Sequence, residues 1–346
     1  MQRQNNAGAT GEGNDLPCSV GLGHGRRAEM VRAPGWLRYG WLRHGFSTRA
    51  GGVSTIYGQI GGASTLNLGW TQQDDPANVA ENRRRFMAEV TGAPVQAVAT
   101  SISKPSVPCF LSSVPCLVTL RQFHSGMIRV VESEDRAHPA RLQTADGRAV
   151  LRSDGMSTNV PGVFLGIQTA DCVPILVADV RRRAVAAFHA GWRGTLARIV
   201  ECGIGTMRLR YGSRPEDLIA AIGPSIGPCC YSVGEEVRFE FESQFAYARE
   251  LFSEVHNSDP VREKYPMLFL TARAPGHSNI GPQIHLDLWE ANRQQLLDAG
   301  VPVGRITVIG ECTACAGLGT ASGRKYFSHR AESSFTGRMM AVIGVA

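Results

Sequence analysis

The sequence predicts a fold that mixes β-strands with α-helices, and three stretches carry that expectation. Residues 162–200, GVFLGIQTADCVPILVADVRRRAVAAFHAGWRGTLARIV, hold three apolar runs of strand length at 162–167, 173–178 and 184–188. Helical spacing follows at Leu196, Ile199, Val200, Ile204 and Met207. Residues 76–91 carry helix punctuation, with Pro76 in the first turn behind Asp75 and Gly92 past the end. The chain closes on an apolar strand at 339–345.

In chain order, residues 41–48 (WLRHGFST) read as a strand running into Arg49-Ala50-Gly51-Gly52-Val53-Ser54, where the glycines mark a turn. Asn67-Leu68-Gly69 forms a second turn, and Val79, Phe86, Met87 and Val90 are the core-facing residues of the 76–91 helix. The Ser- and Pro-rich stretch 99–115 reads as an exposed loop or insertion. A strand at 117–120 leads to Arg121-Gln122-Phe123-His124-Ser125-Gly126. After the central stretch, Gly191-Trp192-Arg193-Gly194 opens a helix whose N-terminal N–H groups suit an anion. A strand at 218–223, a helix at 234–245, an irregular stretch at 254–283, a helix at 287–299 and a strand at 306–310 complete the expectation.

Composition narrows the function classes. The 346 residues can bury a substantial core, and 43% hydrophobic with 19% charged residues is the make-up of a globular protein. No run of eighteen apolar residues occurs, so no membrane span is expected. The net charge of +6 comes from 33 scattered arginines and only three lysines, Lys104, Lys264 and Lys325. That pattern reads as solvated surface and not as a nucleic-acid interface. Residues 1–35 are expected to be a disordered leader, Gly/Asn-rich and without the apolar core of a secretory signal, with Met30 an alternative start. The expected compartment is the cytoplasm, where nine cysteines are reduced thiols and not a disulfide framework.

His124, Cys172 and His189 each stand where a strand becomes a loop. Two imidazoles and a thiolate leave a fourth position open, the arrangement of catalytic zinc. Their separations of 48 and 17 residues fit no local ligand motif. The same residues also read as a buried free cysteine with two core histidines, or as a Cys–His nucleophile pair oriented by Asp171. Arg49 is an anion clamp or a surface arginine. Cys312-Thr313-Ala314-Cys315 fits CxxC and Cys229-Cys230 is a vicinal pair, but no second CxxC exists. These four are expected to pack as small residues near the core, with a redox or a metal role as the lesser alternatives. Cys109 and Cys116 match no metal spacing, and Gly21-Leu22-Gly23-His24-Gly25 lacks the strand and helix of a phosphate loop.

From Trp36 onward HGFSTRAGGVS, NLG, DDPANVAENR, QFHSG, TADCVPILVAD, FHAGWRGT, IGPSIGPCCYSVGEEV and FSHRAESSFTGRMMAVIG occur in order. Together they resemble the laccase-domain family, YfiH/YlmD-like proteins formerly called multicopper polyphenol oxidases. The resemblance implies an α+β fold of mixed β-sheets packed as a sandwich flanked by helices, in one catalytic domain over 36–346, with 99–115 longer than the family's usual link. It implies a purine nucleoside phosphorylase acting on adenosine, inosine and guanosine with inorganic phosphate, with adenosine deaminase and methylthioadenosine phosphorylase side activities. His124, Cys172 and His189 match the family's zinc ligands. Arg49 would be an active-site residue near phosphate, Asp171 a proton shuttle or support, and Asn67 and Arg193 substrate contacts. Copper is the lesser expectation, because nine histidines with no His-x-His fall short of a four-copper oxidase. A cysteine-type amide hydrolase using Cys172 and His189, as in peptidoglycan editing, is the alternative, and a non-catalytic zinc protein the third.

Overall fold

The computed structural model describes residues 27–58, 64–94, 115–255, 283–320 and 323–346. Residues 1–26, nearly all of the 99–115 insertion and 256–282 of the stretch read as irregular lie outside them.

The first half of the chain forms β1 (Met30–Val31), β2 (Leu42–Ser47), β3 (Ala50–Ser54), α1 (Pro76–Thr91), β4 (Cys116–Thr119), β5 (Ile128–Val130) and α2 (Ser133–Ala137). The centre supplies β6 (Gly155–Thr158), β7 (Val163–Thr169), β8 (Val173–Asp179), β9 (Ala184–Ala190), α3 (Trp192–Leu196) and α4 (Ile199–Tyr211). Then come β10 (Leu218–Ile222), β11 (Ser232–Val233), α5 (Glu235–Gln244), β12 (Phe252–Val255) and β13 (Gln283–Leu286). The chain ends with α6 (Leu288–Asp298), β14 (Ile306–Val308) and β15 (Met339–Val345).

Two sheets face each other. One has the order β1-β2-β15-β7-β4, the other β14-β10-β8-β9-β6-β5, and a small third sheet is β11-β13-β12. The pairs β4–β7, β5–β6 and β10–β14 are parallel among otherwise antiparallel neighbours. Side chains alternate across a strand, and β8 shows why its sequence is apolar throughout. Leu176 and Ala178 pack toward the first sheet with Phe46, Leu165 and Ile343. Val173, Ile175 and Val177 pack the other way, against Ile204 and Met207 of α4, Phe241 of α5 and Leu296 of α6. A strand covered on both faces reads as a continuous hydrophobic run. On the far side of the first sheet, Phe86, Met87 and Val90 of α1 cover Phe164, Met340 and Val342. The result is the α+β sandwich flanked by helices that the resemblance implies.

The α1 boundaries match the sequence punctuation. Asp75 accepts the Ala77 N–H as N-cap, Pro76 needs no partner for its nitrogen, and Gly92 ends the helix in the left-handed region. Four expectations need correction. The packed chain begins within the 1–35 leader, since Met30 and Val31 pair with Ser47 and Phe46 and Ala28 and Ala33 are buried. Gly51 and Gly52 lie inside β3 and not in a turn. A β-carbon at Gly52 would sit 2.2 Å from the Thr65 carbonyl oxygen, so glycine admits neighbouring backbone there. The helix after residue 191 is two helices, broken where Arg198 adopts φ +53°. Finally, the edges of the stretch read as irregular are the paired strands β12 and β13. No helix of the described residues is long and apolar enough to cross a membrane.

Phe188 of β9 is wholly buried, which contributes ~1.5–3 kcal/mol, and α4 crosses it at Gly203. A β-carbon at Gly203 would lie 2.2 Å from the ring. Gly203→Ala is therefore expected to lower stability by ~1–3 kcal/mol through overpacking. Urea unfolding checks this: the midpoint should fall at constant slope, and an unchanged midpoint would show that the helix–strand contact is loose.

Candidate metal centre and active site

Three strand connections meet at one end of the sandwich. β4 runs parallel to β7, so both finish there. Residues 170–172 then cross from β7 in one sheet to β8 in the other, and β9 returns antiparallel so that Ala190 lies opposite Val173. His124 follows β4, Cys172 ends the crossing, and His189 is the penultimate residue of β9. His124 Nε2 is 3.8 Å from Cys172 Sγ, and the two imidazole rings are 5.0 Å apart between centroids. One ligating atom from each of the three lies within 4.8 Å of the others. His189 is buried, Cys172 half-buried and His124 exposed, so the cluster is reachable from solvent on one side.

A residue that leaves no mark in the sequence organises this end. Asp154, just before β6, is wholly buried. Oδ1 accepts the His124 N–H at 2.9 Å and the His189 Nδ1–H at 2.8 Å. Oδ2 accepts the Ser125 N–H at 2.7 Å and the Ser125 hydroxyl at 2.9 Å, and the Phe123 N–H reaches both oxygens. Burial pushes this carboxyl up, but the His189 and amide donors outweigh it and hold the group well below the usual carboxylate range. Three successive amides around one carboxylate keep His124 at φ +65°, a conformation unfavourable for a side-chain-bearing residue. Locally, Asp154-Gly155 looks like any turn dipeptide.

Because His189 Nδ1 is spent on Asp154, Nε2 is the atom left for a metal, the usual orientation of a ligating histidine. Burial raises the Cys172 thiol, but His189 and His124 beside it bring it down to about 6. Burial lowers His189, but Cys172 and Asp154 hold it up at about 9. Neutral pH therefore finds a thiolate facing an imidazolium when no ion is bound. Gly191 closes the back of the cluster, where a β-carbon would come 2.9 Å from His124 Cδ2 and 3.0 Å from Cys172 Sγ. Two imidazoles and a low-pKa thiolate with room for a fourth ligand fit a zinc ion.

The remaining expected site residues divide. Asp171, at φ +92°, adjoins Cys172, but Oδ1 accepts the Thr313 hydroxyl at 2.6 Å and Oδ2 the Arg330 N–H at 2.7 Å. Arg193 lies on α3, exposed and 4.2 Å above the Trp192 ring. Arg49 is not among the ligands' contacts: it pairs with Glu332 at 2.9 Å, donates to the Tyr57 carbonyl at 2.6 Å and covers Phe327. Asn67 is fully buried and its amide is filled. It donates to Gly69 and Asp74 and accepts the Gly69 and Arg338 N–H groups, so no polar atom remains for substrate. Two unforeseen residues flank the cluster. Burial and the Cys172 charge push the Tyr231 hydroxyl up to about 12, against the pull of Arg330 and Arg193. Arg330 stacks 5.3 Å from the Tyr231 ring and donates to Ser232.

The chain matches the family model described as multi-copper polyphenol oxidoreductase laccase over residues 43–104 and 110–346. It belongs to this laccase-domain family. The laccase domain is 34% identical over 314 residues to a Geobacillus stearothermophilus protein named purine nucleoside phosphorylase YlmD, covering 90% of this chain and 95% of that one. It is also 34% identical over 211 residues to a protein from an unknown prokaryotic organism named adenosine deaminase RL5, covering 60% and 70%. The crystal structure of Bacillus licheniformis YfiH superposes with a TM-score of 0.68 at 29% identity, covering 92% of this chain and 97% of that one.

Two measurements address the cluster. In chelator-treated protein, Cys172 should react with iodoacetamide with a midpoint near pH 6, well below the ~8.5 of an ordinary thiol. Peptide mass mapping separates it from the exposed Cys202 and Cys229, and an ordinary midpoint would mean that the imidazoles do not face the sulfur. Asp154→Asn removes the charge that orients His189 and should weaken metal binding about 10- to 100-fold. Metal content against chelator concentration reads this, and unchanged retention would remove Asp154 from its organising role.

Proposed function

We propose that this laccase domain is a zinc-dependent purine nucleoside phosphorylase that converts adenosine, inosine or guanosine and phosphate to free base and ribose 1-phosphate, with adenosine deamination and methylthioadenosine phosphorolysis as side activities. The observation that carries the proposal is the convergence of His124, Cys172 and His189, with Arg330 bonded through its N–H to Asp171 and Arg193 on α3, the helix that follows the His189 strand. The names of the relatives are consistent with it. A zinc ion held by the three would supply Lewis acidity at an open coordination position.

The chain's own groups supply the rest. Phosphorolysis develops positive charge on the ribose, so an anion must be fixed on one face while the purine departs from the other. Arg193, exposed on α3 and stacked on Trp192, offers a guanidinium suited to bidentate capture of phosphate. Arg330 is held ready by Ser232. Phe123, adjoining His124 and 42% exposed, offers a ring on which a purine can stack. Asp171 has both oxygens committed, and is assigned to positioning Cys172 and Arg330 instead of carrying a proton. Arg49 is likewise assigned a positioning role, because its partner Glu332 accepts the Ser328 N–H and the Thr336 hydroxyl and so fixes the loop that bears Arg330. A cytoplasmic setting belongs to the same proposal.

One observation favours a second reading. Asp154, His189 and Cys172 have the connectivity of an orienting acid, a base and a nucleophile, as an amide hydrolase requires. The multi-copper description finds less support, since nine histidines with no His-x-His do not build four copper sites.

Incubation of the purified protein with adenosine separates these readings. Adenine and ribose 1-phosphate should form only when phosphate is present. Cys172→Ala should lose one metal equivalent per chain together with phosphorolysis, and Arg193→Ala should raise KM for phosphate about 10- to 100-fold, the worth of ~1.5–3 kcal/mol for charged hydrogen bonds. Base release without phosphate, or an Arg193→Ala variant with unchanged KM, would overturn the assignment.

A further inference from the structure

We propose that Cys229, Cys230, Cys312 and Cys315 form a second metal site, a closed structural centre in which four thiolates hold one zinc ion. The four sulfurs lie within 4.8 Å of one another, and Cys229 Sγ is 3.7 Å from Cys315 Sγ. A tetrahedron with zinc–sulfur bonds of ~2.3 Å has edges of ~3.8 Å. A disulfide needs sulfurs at ~2.05 Å, whereas all four cysteines are free and Cys229 and Cys315 stand at the spacing of two ligands on one ion.

The surrounding backbone is built for such a centre. β10 and β14 are parallel neighbours, so the loops that follow them emerge side by side. One loop carries Cys229-Cys230 and the other the CxxC. They are laced together by the Ser225 N–H to the Glu311 carbonyl and the Thr313 N–H to the Ser225 carbonyl. The Gly227 N–H points at Cys312 Sγ at 3.3 Å, a donor that favours thiolate over thiol. Cys312 is buried against Ile226 and Ala314, whereas Cys229 is exposed, which places the cluster just under the surface. A tetrahedral set of four soft thiolate donors is one that zinc or iron takes, and a closed single-ion structural site is the habit of zinc. The vicinal pair supplies the two sulfurs that a second CxxC supplies elsewhere, and a spacing search for paired CxxC motifs passes over it.

The location gives the ion a task. Tyr231 follows Cys230 directly, and Thr313, between the two cysteines of the CxxC, holds Asp171 beside Cys172. The ion would clamp two loops that border the first metal cluster without contributing a ligand to it.

The test uses full-length protein purified anaerobically with reductant, with zinc or cobalt(II) alone as the probe. Elemental analysis should find two zinc equivalents in the parent and one in Cys172→Ala. Cys172→Ala loaded with cobalt(II) should show the intense thiolate charge-transfer absorption of a four-sulfur tetrahedral site. Cys312→Ser should lose one equivalent and that absorption, and the exposed Cys229→Ser serves where Cys312→Ser does not fold. Chelation that strips the ion from Cys172→Ala should lower its thermal midpoint by several degrees. A Cys172→Ala protein without metal, a Cys229–Cys315 disulfide in reduced preparations, full zinc in both serine variants, or iron in place of zinc would each overturn the proposal.

Discussion

One buried carboxylate holds the working end of this molecule together. Asp154 gathers three consecutive amides, a hydroxyl and an imidazole N–H around its two oxygens. A charge without solvent is costly unless every lone pair is engaged, and here the engagement converts that cost into geometry. The amides bend the loop after β4 so that His124 takes an unfavourable backbone angle. The imidazole N–H fixes which nitrogen of His189 is left over. Both histidines of the cluster are thus set by an atom group that touches neither Cys172 nor solvent.

The sheets make that placement possible. β7 and β8 are consecutive strands but belong to different layers, so the three residues between them cross the gap and deliver Cys172 to the seam. The antiparallel return of β9 brings Gly191 beside that cysteine, and the absence of a side chain lets the sulfur and the His124 ring close together. Apolar packing on both faces of β8 and β9 holds these strand ends still, which a cluster of three short-range donors requires.

Much of the architecture is legible in the residues because local physics dictates it. The punctuation of α1, the apolar runs of β7 to β9 and the closing strand β15 all follow from periodicity and capping. The short strands β5, β6 and β11 escaped, since two to four residues carry no period, and Arg198 breaks a helix that the apolar spacing alone runs through. At the site, Cys172 and His189 stand at strand ends as expected, His124 lies farther along the loop after β4, and the three converge. Asn67, a substrate contact by resemblance alone, has its side-chain amide engaged by Gly69, Asp74 and Arg338, partners that the sequence around it does not reveal. Asp154 and the partnership of Cys229-Cys230 with the CxxC are contacts across tens of residues, and no window of sequence contains both halves.

The crossing between layers has a thermodynamic corollary. An ion held by groups from both sheets would add a cross-link between halves already joined by side-chain packing and by the Asp154 hydrogen bonds to the loop after β4. Its binding energy is then available only when both sheets are assembled and in register, so occupancy of the seam and integrity of the whole sandwich are linked quantities. Were an ion bound there, any change that loosens the packing far from the seam would surface as weaker retention of it, and the metal would report on the entire fold.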